Sequence, residues 1–226
     1  MINYKILFIG KSDDYFSVRF CNILKKNFKD LDMFCNDGKN HKQLKKKISL
    51  CNWDYIICFR SNYLFNKTEV NKFKNIINFH PGPPEYRGIG CVNFAVFNNA
   101  KKYGSTVHII DSKKIDNGKI LHVIRWNINK KITVDKILED TYRYQLSQLK
   151  IIIKFIKKNK LKNLFYKFKN YKWSKKLYTR KDLDQLYKIN PKINVTNFYR
   201  VLRATITKKY KPYIILNKYK FVYEQN

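Results

Sequence analysis

The feature that most constrains this chain is the alternation of short apolar runs with amphipathic segments over its first eighty residues. Residues 5–10 predict a buried strand, and residues 13–28 carry apolar side chains at helical spacing. The same two patterns recur twice before a fourth apolar run at 76–79. Strands that alternate with helices in this way form a parallel, doubly wound α/β sheet. The intervening predicted elements are strands at 31–35 and 55–58 and helices at 41–48 and 68–73.

The second half of the chain predicts two more strands, a long helix and a small C-terminal appendage. The strands lie between Ser105 and Ile128, and Thr133 caps a helix from about Val134 to Lys157. Residues 158–190, rich in Lys and aromatic side chains, show no pattern that predicts their structure. A helix at about 196–204 and a β-hairpin of strands 213–216 and 219–223 complete the predicted elements. We therefore predict a mostly parallel, Rossmann-like core, residues 1–178, with a short extension packed on it, residues 179–226.

A rigid loop follows the fourth predicted strand. Residues 78–90 hold three of the chain's five prolines and three of its seven glycines, and these residue types fix the backbone or permit unusual angles. Asn78 and His80, two positions apart at the strand end, lie on one face. Polar groups held at such an end are typical of catalytic sites, although a His without this context is more often structural. We interpret His108 and His122, which lie within predicted strands, as structural.

The motif Asn78-x-His80-Pro81, followed 36 positions after His80 by Asp116-x-Gly118, resembles the formyltransferase superfamily, whose formyl donor is 10-formyltetrahydrofolate. The resemblance implies that Asn78, His80 and Asp116 are catalytic and that no metal is required. The alternative for Asp116 is an ordinary turn residue, since Asp-Asn-Gly is itself a turn signal. The resemblance also implies a folate pocket built largely from backbone groups at Phe59, Arg60, Ser61, Asn62 and Tyr63. We expect Asp111 to cap the loop on the folate side.

The loop after His80 is similar to that of enzymes that formylate the amino group of nucleotide-linked deoxysugars. Methionyl-tRNA formyltransferases usually continue the His-Pro pair with Ser-Leu-Leu-Pro, whereas residues 82–85 here read Gly-Pro-Pro-Glu. The implied acceptor is a nucleotide-diphosphate amino sugar, such as a dTDP- or GDP-linked 4-amino-4,6-dideoxyhexose. Its pyrophosphate needs a cation, for which Arg87 is the candidate beside Tyr86; the alternative is that the loop needs only an aromatic prop and a helix-facing cation. Trp173 and Tyr178 are candidate walls for the base, or they only pack.

Three other functions stay open at this point. The first is formylation of methionyl-tRNA, although too few residues follow Thr179 for the β-barrel domain of those enzymes. The second is a folate-binding module without turnover, which the intact motif disfavours. The third is hydrolytic deformylation of the donor, which usually accompanies an added N-terminal domain. The sequence therefore favours sugar N-formyl transfer, with methionyl-tRNA formyl transfer as the alternative.

The formal charge of +32 raises the question of a nucleic-acid partner. Of the 48 basic residues, eight are Arg and 40 are Lys, whereas Arg is preferred for bidentate phosphate and base contacts. Lys, Ile, Asn, Tyr and Phe, all abundant here, share codons rich in A and T. We therefore expect genome composition to explain the charge and expect no specific nucleic-acid partner; attraction of a phosphorylated substrate is the alternative.

Several absences in the sequence narrow the remaining classes. No G-x-G-x-x-G follows the first strand and no G-x-x-x-x-G-K-[ST] occurs, which disfavours a dinucleotide cofactor and nucleotide hydrolysis. Five cysteines without C-x-x-C spacing predict free thiols rather than disulfides or a zinc site. No apolar run approaches 18 residues, so we expect a soluble, cytoplasmic protein without a membrane partner. Its oligomeric state, with a homodimer among the alternatives, is left open.

Overall fold

The centre of the fold is a six-stranded sheet. The structure, a computed structural model, describes residues 3–36, 38, 40–111 and 114–224. Its strands are β1 (Ile6–Lys11), β2 (Leu31–Asn36), β3 (Tyr55–Phe59), β4 (Ile76–His80), β5 (Arg87–Gly88), β6 (Lys102–Ile109), β7 (Ile120–Asn127), β8 (Leu177–Tyr178), β9 (Tyr213–Leu216) and β10 (Tyr219–Val222). Its helices are α1 (Tyr15–Lys25), α2 (His41–Leu50), α3 (Lys67–Lys72), α4 (Cys91–Phe97), α5 (Val134–Lys157), α6 (Leu161–Phe168), α7 (Arg180–Tyr187) and α8 (Val195–Thr205).

The order of strands in the sheet is β2-β1-β3-β4-β6-β7. The first four are mutually parallel, whereas β6 runs antiparallel to both β4 and β7. The order reverses at β1, which pairs with β2 on one side and with β3 on the other. The prediction of a doubly wound, mostly parallel sheet is therefore confirmed, and the carboxyl ends of β3 and β4 lie side by side.

Helices cover both faces of the sheet, which explains why β1 and β3 are apolar almost throughout. On one face Phe20 of α1 stacks on Phe59 with ring centroids 3.9 Å apart, and Leu149 of α5 is buried in the same cluster. On the other face Leu44 and Ile48 of α2 are fully buried. Burying a large apolar side chain stabilises a fold by roughly 1.5–3 kcal/mol. This two-sided core holds the strand ends in fixed positions.

Two regions differ from what the sequence predicts. Helix α4 follows the proline-rich loop, and the sequence does not predict it because six of its seven residues are buried, which leaves no amphipathic period. Residues 158–190 contain α6, β8 and α7. The start of α7 carries a readable signal, since Thr179 and Asp182 form a reciprocal capping box. Strand β8, just before α7, has no such local signal, because its partner β5 is distant in sequence.

The C-terminal residues pack on the rest of the chain through α8. The side-chain amide of Asn93 in α4 donates to the carbonyl of Ala204 at 2.6 Å, and the amide of Lys208 donates to Asp135 at 2.8 Å. Strands β9 and β10 form the predicted antiparallel hairpin. The division of the chain at residue 178 stays a prediction. Among the described helices, none combines the length and apolar character that crossing a membrane requires.

Candidate active site

The pairing of β4 with β6 brings two polar side chains together. Asn78 lies directly opposite His108 in the antiparallel ladder, and Asn78 Nδ2 is 3.1 Å from His108 Nε2. The next pair along the ladder, Phe79 and Val107, points to the other face and is buried in the core. The sheet pleat therefore separates a polar face from an apolar one at the end of β4.

His80 is almost fully buried, and both of its ring nitrogens face oxygen acceptors. Its Nδ1 is 3.2 Å from Asp116 Oδ2, and its Nε2 is 3.0 Å from the carbonyl oxygen of Tyr86. Because a neutral imidazole has only one N–H, these surroundings favour the imidazolium form. Burial alone would lower the pKa of His80, but Asp116 and the two hydrogen bonds raise the pKa above its usual range.

Asp116 joins the two imidazoles. Its Oδ1 is 3.4 Å from His108 Nε2, and its Oδ2, which faces His80, also accepts a hydrogen bond from the amide of Gly88 at 2.8 Å. The backbone of Asp116 has φ +44°, a conformation that a non-glycine residue adopts only when its surroundings impose it. Burial would raise the pKa of this carboxyl, but His80 and His108 hold the pKa well below its usual range.

The structure places His108, which the sequence analysis interprets as a structural residue, within this cluster. Its Nδ1 lies 3.0 Å from the carbonyl oxygen of Ile109 and therefore donates to it. Its Nε2 faces two groups of the cluster, Asn78 Nδ2 at 3.1 Å and Asp116 Oδ1 at 3.4 Å. Sequence analysis missed this residue because its position depends on the register of β6 against β4.

The proline-rich loop after His80 is anchored to β6 by three hydrogen bonds. Tyr103 donates to the carbonyl of Pro81 at 2.7 Å, Ser105 to that of His80 at 3.1 Å, and Thr106 to that of Gly82 at 2.8 Å. A Cβ at position 82 would approach His80 Nε2 to 2.8 Å. Strand β6 thus fixes the backbone of the loop, and the absence of a side chain at Gly82 leaves room for the imidazole of His80.

Tyr86 and Arg87 lie near the cluster, and the side chains of both pack against other parts of the chain. The ring of Tyr86 is half-buried and packs parallel to that of Tyr178, at 6.1 Å. Arg87 is only 8% exposed, and its guanidinium donates to the carbonyls of Ile115 and Ser174. These contacts serve packing and loop anchoring, and the substrate role of the two residues stays a prediction.

The residues of the predicted folate pocket follow β3, beside the end of β4. The ring of Phe59 belongs to the core, so only its backbone faces that edge. Arg60 donates to Asp14 at 2.8 Å and lies over Tyr142, and Tyr63 donates to Glu69 at 2.6 Å. The other three residues are more open: Ser61 is half-buried, Asn62 is exposed, and the exposed Asp111 accepts from the amide of Lys119.

Trp173 covers the two imidazoles. Its ring centroid lies 5.6 Å from that of His80 and 5.0 Å from that of His108, in both cases edge to face. Its indole N–H donates to the carbonyl of Gly118 at 2.8 Å, two residues after Asp116. The sequence leaves Trp173 as a wall for the base or as a packing residue, and both roles stay predictions; the observed contacts of its ring are with the two imidazoles.

A cavity of about 320 Å³ lies beside this tryptophan and the turn that carries Asp116. Its lining combines cationic and aromatic side chains from the turn, α6 and the segment that follows α6. The lysines are Lys119, Lys169 and Lys172, the aromatic residues are Phe165, Phe168, Tyr171 and Trp173, and the remaining lining residues are Asp111, Asn117, Gly118 and Ile120.

Solved formyltransferases share this fold. A 4-N formyltransferase from Francisella tularensis matches with a TM-score of 0.78 at 20% identity, over 98% of this chain and 97% of that one. An N-formyltransferase from Helicobacter canadensis, in complex with folinic acid and dTDP-3-aminofucose, matches with a TM-score of 0.73 at 22% identity, over 95% and 85% of the two chains. The likeness at this identity is one of fold.

Comparison of the sequence with known proteins identifies the family to which the chain belongs. A methionyl-tRNA formyltransferase from Finegoldia magna is 24% identical over 109 residues, a match that spans 47% of this chain and 35% of the relative's length. The sequence profile described as formyl transferase matches residues 16–152, more than half of the chain, and these residues include Asn78, His80 and Asp116. The chain therefore belongs to the formyl transferase family.

Proposed function

We propose that this protein transfers a formyl group from 10-formyltetrahydrofolate to the amino group of a nucleotide-linked amino-deoxysugar. The observation that carries the proposal is the meeting of Asn78, His80 and Asp116 at the carboxyl end of β4. The full-length likeness to N-formyltransferases, one of them solved with folinic acid and a dTDP-linked amino sugar, supports this donor and acceptor.

Formyl transfer forms a bond between the acceptor nitrogen and the formyl carbon and breaks the bond from that carbon to the folate nitrogen. The attack places negative charge on the formyl oxygen. The amide of Asn78, oriented by His108, donates to that oxygen, and the imidazolium of His80 adds a positive charge close by. One such donor contributes roughly 3–4 kcal/mol to the stabilisation of the transition state.

The acceptor amine also loses a proton during transfer, and the folate nitrogen gains one. Asp116 keeps His80 protonated through their contact at 3.2 Å, and it is the general base that accepts the amine proton, directly or through water, and passes it on to the folate nitrogen as that nitrogen leaves. Its depressed pKa keeps it ionised at neutral pH. Trp173 limits access of water above both rings.

We assign the two substrates to neighbouring surfaces of this cluster. The donor pterin lies against residues 59–63 and Asp111, where backbone groups at the end of β3 supply most contacts. The nucleotide lies in the cavity beside Trp173, whose lysines suit a pyrophosphate and whose aromatic rings suit a base. We further propose a homodimer, because the hairpin of β9 and β10 exposes apolar side chains, among them Phe221 at 57% and Val222 at 50%. We also propose that the protein acts in the cytoplasm.

The test is a panel of dTDP- and GDP-linked amino sugars incubated with 10-formyltetrahydrofolate and followed by mass spectrometry. We expect one member to gain a single formyl group, and we expect no gain with the His80→Ala variant. Light scattering on the same preparation gives the oligomeric state. Formyl transfer to methionyl-tRNA, with no transfer to any sugar, would replace this proposal by the alternative that the Finegoldia relative suggests.

A further inference from the structure

Arg87 lies at the junction of three segments around the catalytic cluster. It belongs to β5, whose parallel partner is β8. Its Nη2 donates to the carbonyl of Ile115 at 2.6 Å, and its Nη1 donates to the carbonyl of Ser174 at 3.2 Å. The guanidinium is planar and presents several donors in a fixed fork, so it can hold two carbonyls in one arrangement.

Each of the two carbonyls is adjacent to a residue of the cluster. Ile115 precedes Asp116, whose backbone holds the left-handed conformation with φ +44°. Ser174 follows Trp173, whose ring covers the imidazoles of the cluster. One buried side chain therefore fixes both the turn that carries the carboxylate and the segment that carries the covering ring.

Gly88, the next residue, contacts the same turn through the side chain of Asp116. Its amide donates to Asp116 Oδ2 at 2.8 Å, the oxygen that also faces His80. Gly88 has φ +93°, and an added Cβ would collide with the carbonyl of Tyr178. The guanidinium of Arg87 thus hydrogen-bonds to the backbone just before Asp116, and the amide of Gly88 hydrogen-bonds to the carboxylate of Asp116.

We propose that Arg87 is a positioning residue that sets the geometry of Asp116 and Trp173 against His80, rather than a ligand of the acceptor pyrophosphate. This inference deepens the proposed formyl transfer and rests on it. The charge of Arg87 works against the imidazolium, since it opposes the rise that Asp116 causes in the pKa of His80. The geometry that Arg87 imposes, rather than its charge, is therefore its contribution to the site.

Arg87→Lys separates geometry from charge, because an ammonium retains the cation but loses the planar fork. Histidine NMR titration of the free protein reports the pKa of His80 without any substrate. The charged groups that act on His80 are Asp116 and Arg87. If Asp116 is released in the variant, the pKa of His80 falls and exchange of the Gly88 amide proton accelerates. Arg143→Lys is the matched control, since Arg143 is exposed on α5 and pairs only with Glu139 among the described carboxylates.

Steady-state kinetics on an accepted sugar completes the test. We expect kcat of Arg87→Lys to fall by about 10- to 100-fold, as small displacements in an active site do, with KM for both substrates within about threefold. Arg87→Gln, which keeps a shorter planar donor group, is the second variant, and circular dichroism checks the folding of both. A raised KM for the sugar nucleotide with unchanged kcat and an unchanged His80 titration would overturn the proposal. Absence of turnover in the unmodified protein bears on the proposed function, whereas the titration still decides the role of Arg87.

Discussion

His80 is held between a carboxylate and a carbonyl oxygen, and this arrangement has direct consequences for single substitutions. We expect His80→Ala and Asp116→Asn to abolish turnover, because each removes one half of the buried ion pair. Asn78→Ala should lower kcat by roughly 100-fold or more through loss of an oxyanion donor. Folate affinity, measured calorimetrically, should change little, since we assign most of the folate contacts to residues 59–63. Near-normal turnover in the His80 or Asp116 variant would refute the assignment.

The same ion pair predicts how stability depends on pH. The pKa of His80 is raised in the folded state, so its contribution is complete below the unfolded value of about 6.5 and is lost as pH rises through the folded value. The pKa of Asp116 is lowered, so its contribution is present above about 3.9 and is lost as pH falls through the folded value. Urea unfolding should therefore show a larger cost of Asp116→Asn at pH 5.5 than at pH 9.

An exposed carboxylate provides the control for this measurement. Asp140 pairs with Lys136 on the surface of α5, and screened surface pairs contribute little. Asp140→Asn should cost the same small amount at both pH values. An equal cost of Asp116→Asn at pH 5.5 and pH 9 would show that the charge of His80 in the folded protein does not change between these two pH values, contrary to this prediction.

The limits of sequence analysis are visible at this scale. Asn78 and His80 share a strand end, so their common face follows from the pleat alone, and the family motif points to Asp116. His108 requires the register of β6 against β4, which is a long-range property. The burial of Arg87 depends on the pairing of β5 with β8, about ninety positions apart. Local patterns do not encode either pairing.

Among the elements, the strands and helices of the parallel half are predictable because each has a local period. Helix α5 agrees with its predicted bounds because Thr133 caps it and its buried residues recur at helical spacing. Helix α4 has no polar face to set a period, since it is buried all round. The segment from α6 to α7 is rich in Lys and aromatic residues, of which some are exposed and others packed. Its composition therefore does not predict its secondary structure.

The segment after α6 yields a prediction about the acceptor. Lys172 is exposed, lines the cavity and precedes the ring of Trp173. Lys172→Ala should raise KM for the sugar nucleotide several-fold and leave kcat nearly unchanged, because the pyrophosphate charge persists from ground state to transition state. Lys150→Ala, an exposed lysine on α5, is the control. A rise confined to KM for the folate would assign the cavity to the donor.

The whole molecule carries a formal charge of +32, spread over a surface rich in Lys. If this charge reflects composition, tRNA binding should be weak, independent of sequence and steeply dependent on salt. Filter binding of initiator and elongator tRNA at about 50 mM and about 200 mM salt measures both properties, because phosphate contacts weaken strongly over this range. A preference for initiator tRNA that survives at the higher salt would favour the methionyl-tRNA alternative.

Strand β6 runs antiparallel to its neighbours in an otherwise parallel sheet, and the candidate active site forms only when β6 pairs with β4 in the correct register. Side chains in β6 alternate between the core and the catalytic cluster, with Val107 on one side and His108 on the other. A slip of one residue against β4 would exchange these faces and place an imidazole in the core. Such a molecule would lose activity and packing together. If the proposed activity is correct, activity per molecule after refolding should therefore rise with the fraction of chains in which β6 has the native register.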